Sequence, residues 1–136
     1  MAGVSLFRVI VPVADIEAGA VFYARLLDHP GERVSALRHY FDCDGVILAC
    51  VQPYDEVRAR PARPEDFRPN PDRIYLATED LEAAYARAAD AGCDWLEEAI
   101  ATRDWGERSF YLRDPFGNPL CFVDAGTEFR GGRFVR

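Results

Sequence analysis

Apolar residues occupy every second position from 7 to 13, where Phe7, Val9, Val11 and Val13 alternate with Arg8, Ile10 and Pro12. That period of two predicts a strand with one uniformly apolar face. The period then changes. Asp15 stands where a helix N-cap belongs and Glu17 follows in the first turn, where a carboxylate meets the positive end of the helix dipole. The helix runs through Tyr23 and Leu26 and must end before Pro30. The same succession recurs from residue 73. A strand leads to Asp80 and Glu82, and Leu81, Ala84, Tyr85 and Ala88 then mark a helix that stops at Gly92. After each helix come short strands and a hairpin corner. Asp114-Pro115-Phe116-Gly117 has an acid, a proline and a glycine where a type I turn wants them, and Asp42-Cys43-Asp44-Gly45 reads as a looser copy.

These elements form an internal repeat. RVIVPVADIEA (8–18) lays over RIYLATEDLEA (73–83) without a gap, and HYFDCDGVILACV (39–51) lays over YLRDPFGNPLCFV (111–123). The intervening segment, 53–71, holds five of the nine prolines and reads as a linker. One strand-helix-three-strand unit of about 50 residues would leave a sheet face bare, so two copies should pair. The expected fold is α+β: two tandem βαβββ repeats forming one curved, mostly antiparallel eight-stranded sheet with a central cup and helices on the convex face. Its bounds are 5–52 for the first repeat, 72–125 for the second and 126–136 for a C-terminal tail, all within a single domain, 1–136.

Composition narrows the function. With 16 basic and 23 acidic residues the net charge is -7, which repels a phosphate backbone, so nucleic acid is not an expected partner. Every basic residue is arginine. The sequence has neither an apolar run long enough for a membrane span nor a signal-peptide pattern, so a cytoplasmic protein with no membrane partner is expected. Cys43, Cys50, Cys93 and Cys121 lack C-x-x-C spacing and lie mostly in or beside apolar runs, which favours reduced, partly buried thiols.

The order strand, D-[IL]-E-A helix, hairpin D-P-F-G-N-P-L, given twice between Leu6 and about Phe129, resembles the vicinal oxygen chelate superfamily. That superfamily includes glyoxalase I, bleomycin and fosfomycin resistance proteins and extradiol dioxygenases. The resemblance implies a cup with a divalent ion held by a His or Glu on the first strand of each unit and a carboxylate or His on its last. Those positions fall on Arg8, Arg73, Ala49 and Cys121. Only Cys121 is a conceivable ligand, and a metal site needs three or four convergent donors. No metal and no other cofactor is therefore expected. The stretch SFYLRDPFG (109–117) also resembles the fosfomycin resistance branch, whose serine and tyrosine there face the ligand.

Strand parity points Arg8, Ile10, His39, Ala49, Val51, Arg73, Tyr75, Ser109, Tyr111 and Cys121 into the cup. Arg8 and Arg73, equivalent in the two repeats, suit a bidentate anion site or pairs with rim carboxylates. Tyr75 and Tyr111 suit an aromatic wall or plain sheet packing, and Trp105 suits a cover over the mouth or rim packing. The ligand-binding set is thus Arg8, Arg73, Tyr75, Trp105, Ser109, Tyr111 and Cys121. His39 and Tyr111 are the candidates for acid-base chemistry if catalysis occurs. The leading expectation is sequestration of a small organic molecule, anionic or aromatic, such as an antibiotic or toxin, by a metal-free homodimer whose edge strands would otherwise stay open. The rivals are a metal-dependent lyase, isomerase or dioxygenase of the superfamily, and an interaction domain whose cup is filled.

Overall fold

The computed structural model describes residues 3–131. Of the tail read at 126–136, residues 132–136 lie outside the described residues. The chain divides after Pro69 into two compact units, inside the segment read as a linker.

In the first unit β1 (Arg8–Pro12) leads into α1 (Ile16–Leu27), followed by β2 (Glu32–Ser35), β3 (Arg38–Cys43) and β4 (Val46–Val51). A short hairpin, β5 (Tyr54–Asp55) and β6 (Arg60–Pro61), then occupies the proline-rich stretch. The second unit repeats the plan with β7 (Ile74–Thr78), α2 (Leu81–Ala91), β8 (Trp95–Leu96), β9 (Ala101–Thr102), β10 (Arg108–Arg113) and β11 (Pro119–Asp124). Both helices start as the sequence predicts. The Asp15 carboxylate accepts from Glu17 N at 3.0 Å, and Asp80 accepts from Ala83 N at 3.0 Å. Gly92, at φ 92, ends α2 in the left-handed region.

The strands pair in the order β1-β4-β3-β2 in one sheet and β7-β11-β10-β8 in the other, with β9 added on β10. The ladders among the described residues run within each repeat, in an α+β arrangement of open sheets. The first strand of each repeat pairs in parallel with the last, across a helical crossover, and the other pairs are antiparallel. Each sheet is mixed.

One face of each sheet is covered by its helix. In the first unit Val11, Leu48, Cys50 and Phe41 are fully buried beneath Tyr23 and Leu26 of α1, with Tyr23 and Phe41 ring centroids 6.3 Å apart. Gly19 lets α1 approach, since a Cβ there would meet Val13 at 2.9 Å. In the second, Phe110, Leu112, Leu120 and Phe122 lie under Leu81, Ala84 and Ala88. Phe110 stacks on Phe122 at 5.4 Å and meets the edge of Tyr85 at 5.0 Å.

The two corners differ from the reading that makes one a copy of the other. Asp44 and Gly45 form a two-residue hairpin loop with φ 53 and 94, the type I′ geometry that matches strand twist. The 114–118 corner keeps the expected turn bond from Gly117 N to Asp114 O at 3.0 Å and is built around a carboxylate. Asp114 is fully buried and accepts from Phe116 N, Asn118 N and Asn118 Nδ2 at 2.8 to 2.9 Å, while Asn118 Oδ1 accepts from Asn70 N at 2.8 Å. Measured on the ladders, this corner is one residue longer. Asp42 pairs with Ile47, whereas Arg113 pairs with Pro119. A one-residue difference reverses which face a side chain occupies.

Candidate ligand-binding face

That reversal corrects one site residue directly. The gap-free overlay sets His39 on Tyr111, but the ladders set Tyr40 opposite Ala49 as Tyr111 is opposite Cys121. His39 therefore shares the helix-covered face with Phe41, whose ring centroid is 5.0 Å away, and its Nε2 bonds to Pro30 O at 3.0 Å. It does not join the uncovered face.

In the first repeat the uncovered face carries Arg8, Ile10, Tyr40, Ala49 and Val51. The Arg8 guanidinium lies over the rings of Phe7 and Tyr40, at 4.8 and 5.0 Å. The second repeat reproduces this stack, with Arg73 over Tyr111 at 3.9 Å. Among the described residues neither arginine forms an ion pair.

The second repeat builds the richer site. Successive rows of its uncovered face read Trp95, Arg113 and Pro119, then Tyr111, Cys121 and Tyr75, then Ser109 and Val123. Arg103 and Glu97, neither singled out by sequence, complete it. Glu97 Oε1 and Oε2 accept from Arg103 Nη2 and Nη1 at 2.6 and 3.2 Å, and Oε1 also accepts from Tyr111 N at 3.0 Å. Arg103 Nε donates to Ser109 Oγ at 2.7 Å, and its guanidinium lies 4.1 Å from the Tyr111 ring centre. Burial pushes the Glu97 carboxyl up, but the bonds from Arg103 and Tyr111 N and the charges of Arg103 and Arg73 outweigh it and hold the group below its ordinary value. Arg103 thus spends four of its five N–H donors within the protein, whereas Arg73 has no ion pair among the described residues.

Arg73 borders a hollow of about 480 Å³ that it shares with Tyr75, Arg113 and Pro119. A second cavity, of about 330 Å³, lies at the other side of Tyr75 between Glu107, Val123 and Phe129. Trp105 lines neither hollow; its Nε1 donates to Glu107 Oε1 at 2.6 Å, while Glu107 Oε2 accepts from Phe129 N at 2.8 Å at the edge of the second. Burial holds the Tyr75 phenol above its ordinary pKa, with the neighbouring Cys121 and Tyr111 adding to the effect, so it stays a hydrogen-bond donor at neutral pH.

Cys121 is 1% exposed beside Ser109. Burial pushes its thiol up to about 11, against a hydrogen bond with Ser109 and the charges of Arg103 and Arg73. Thiolate is the metal-binding and nucleophilic form. With arginines at 8 and 73, alanine at 49 and a protonated thiol at 121, the residues at these positions do not fit a divalent ion. Among the described residues no group of three or more His, Cys, Asp or Glu gathers in a ligating arrangement. In the folded protein at pH 8, Cys121 should react with a thiol reagent about 100-fold more slowly than in urea. Mass-mapped labelling checks this, and prompt stoichiometric modification of the native chain would overturn it.

A strand, a helix and further strands, given twice along the chain, follow the plan of the vicinal oxygen chelate superfamily. A family model described as a glyoxalase-like domain matches residues 8–123, and the chain belongs to that glyoxalase-like family. Its fold is similar to that of a glyoxalase/bleomycin resistance protein from Albidiferax ferrireducens T118, with 26% identity, 87% of this chain and 96% of that one covered, and a TM-score of 0.68. A glyoxalase/bleomycin resistance protein from Catenulispora acidiphila DSM 44928 matches at 24% identity, 88% and 97% coverage and a TM-score of 0.62. Lactoylglutathione lyase from Agrobacterium tumefaciens shares the fold at 18% identity, 90% and 95% coverage and a TM-score of 0.64. No curated protein matches the chain. No described helix is long and apolar enough to cross a membrane.

Proposed function

We propose that this protein is a metal-free member of its family that sequesters a small aromatic molecule bearing an anionic group on the uncovered face of its second repeat. The observation that carries the reading is the Arg73 guanidinium, over the Tyr111 ring at 3.9 Å and bordering an open hollow with no carboxylate bound to it among the described residues. With no ion pair among the described residues, its N–H groups are left for an acceptor. Tyr75, 57% exposed beside it, supplies the surface on which a planar ligand stacks. Ser109, Tyr111 and Cys121 act as the floor, held in place by Arg103 and Glu97. A homodimer remains part of the proposal, since β1 and β7 are edge strands of their sheets.

Titration calorimetry with benzoate tests the reading. Arg73→Met should weaken binding at least about tenfold, while stability changes by no more than about 1 kcal/mol, the worth of an exposed cation–π contact. Unchanged benzoate affinity in the variant would refute it. Elemental analysis near one equivalent of nickel, zinc, iron or manganese per chain would refute the metal-free part.

A further inference from the structure

The hollow beside Arg73 has a second cation on its far side. Arg113 lines it, in the same row as Trp95 and Pro119 and one step from the Leu120–Ile74 pair that places Arg73. Two strand spacings put the two arginine backbones about 10 Å apart, within reach of one small group for side chains of this length. The two guanidinium groups are held in the same way. Arg73 lies over Tyr111 at 3.9 Å and Arg113 over Trp95 at 5.4 Å. Tyr111 stands on β10 and Trp95 on β8, so both arginines lean the same way across the sheet, and Arg113 must turn back from Trp95 to meet a ligand held by Arg73. Among the described residues Arg113, like Arg73, has no ion pair, and Asp72 is the one carboxylate lining the hollow.

The geometry points to an anion subsite clamped between Arg73 and Arg113 that takes a phosphate monoester group, giving the ligand of this face its chemical class. The inference rests on the binding role proposed for Arg73 and adds Arg113 as the residue that sets specificity. A carboxylate presents two oxygens in one plane and one direction, so a single bidentate arginine satisfies it. A tetrahedral phosphoryl group presents three oxygens and can accept from forks on two sides at once. Its second negative charge lets it attract both cations at once, in competition with Asp72.

Calorimetry with phenyl phosphate and benzoate, alongside phosphorus NMR titration with inorganic phosphate, tests this on the full chain. Phenyl phosphate should bind about tenfold more tightly than benzoate, and Arg113→Met should erase that preference by weakening phenyl phosphate more than it weakens benzoate. Arg113→Lys, which keeps the charge and loses the fork, should retain only part of it. Inorganic phosphate should bind the parent chain and be lost in Arg113→Met. Benzoate binding that depends on Arg73 with no preference for phenyl phosphate would overturn the subsite and leave the proposed function standing. Phosphate binding lost in Arg113→Met without any benzoate binding would support the subsite and refute the aromatic-carboxylate reading. If no probe binds the parent chain, both fall.

Discussion

Asp114→Ala should cost the folded protein about 3 to 5 kcal/mol, more than the truncation of any arginine or carboxylate on the ligand-binding face. The side chain is fully buried, and its two oxygens accept from Phe116 N, Asn118 N and Asn118 Nδ2. Alanine removes the acceptor of all three bonds, two of them from the buried Asn118. It also frees Asn118, whose own Oδ1 holds Asn70 N and so ties the entry of β7 to the corner. Asp114→Asn keeps one acceptor oxygen but turns an amide donor towards a cluster of donors, so it should recover only a minor part. Urea unfolding measures both. A midpoint for Asp114→Ala within about 1 kcal/mol of the parent would show that the corner rearranges to satisfy itself.

Glu97→Ala should cost about 2 to 3 kcal/mol, because it strands a largely buried Arg103 and removes the acceptor of Tyr111 N. Replacing both partners, as Glu97→Leu with Arg103→Met, should restore most of the loss, since neither charge is then left alone. The pair also carries a pH signature. Glu97 is held below its ordinary value of 4.5 in the folded state. Its contribution is therefore complete above that value and drains away as pH falls through the folded pKa. Below about pH 4.5 the parent should lose stability faster than Glu97→Gln, the two curves converging as acid is added. Parallel curves across that range would remove the ion pair from the account.

Much of this architecture is legible in the chain because its signals are periodic. Asp15 and Asp80 announce the helix starts, Gly92 the end of the second, and the 65-residue offset the duplication. Alternation places Tyr75, Ser109, Tyr111 and Cys121 on one face, and the ladders put them there. Parity fails when it is carried across a corner of unequal length, which sends His39 to the wrong face and hides Tyr40. Glu97 and Arg103 escape for another reason. Glu97 follows β8, which at two residues is too short to display a period, and Arg103 stands on no strand at all. Arg113 lies two residues from Tyr111 and hence on its face, but in the sequence it abuts the D-P-F-G motif, whose turn signal masks the end of the strand.

The extra residue in the second corner bears on how a duplicated gene acquires new chemistry. β4 and β11 keep their register against the first strand of each repeat, so their aligned positions remain comparable through any such change. The strand on the other side of the corner does not have that protection. Adding or deleting one codon there exchanges its core positions for its exposed ones in a single event: the place held by His39 against the helix in one half corresponds to Phe110 in the other, and Tyr40 corresponds to Tyr111. An alignment that forbids a gap at the corner will therefore compare residues that never occupy the same side of the sheet, and substitutions planned from it in β3 would be aimed at the wrong surface.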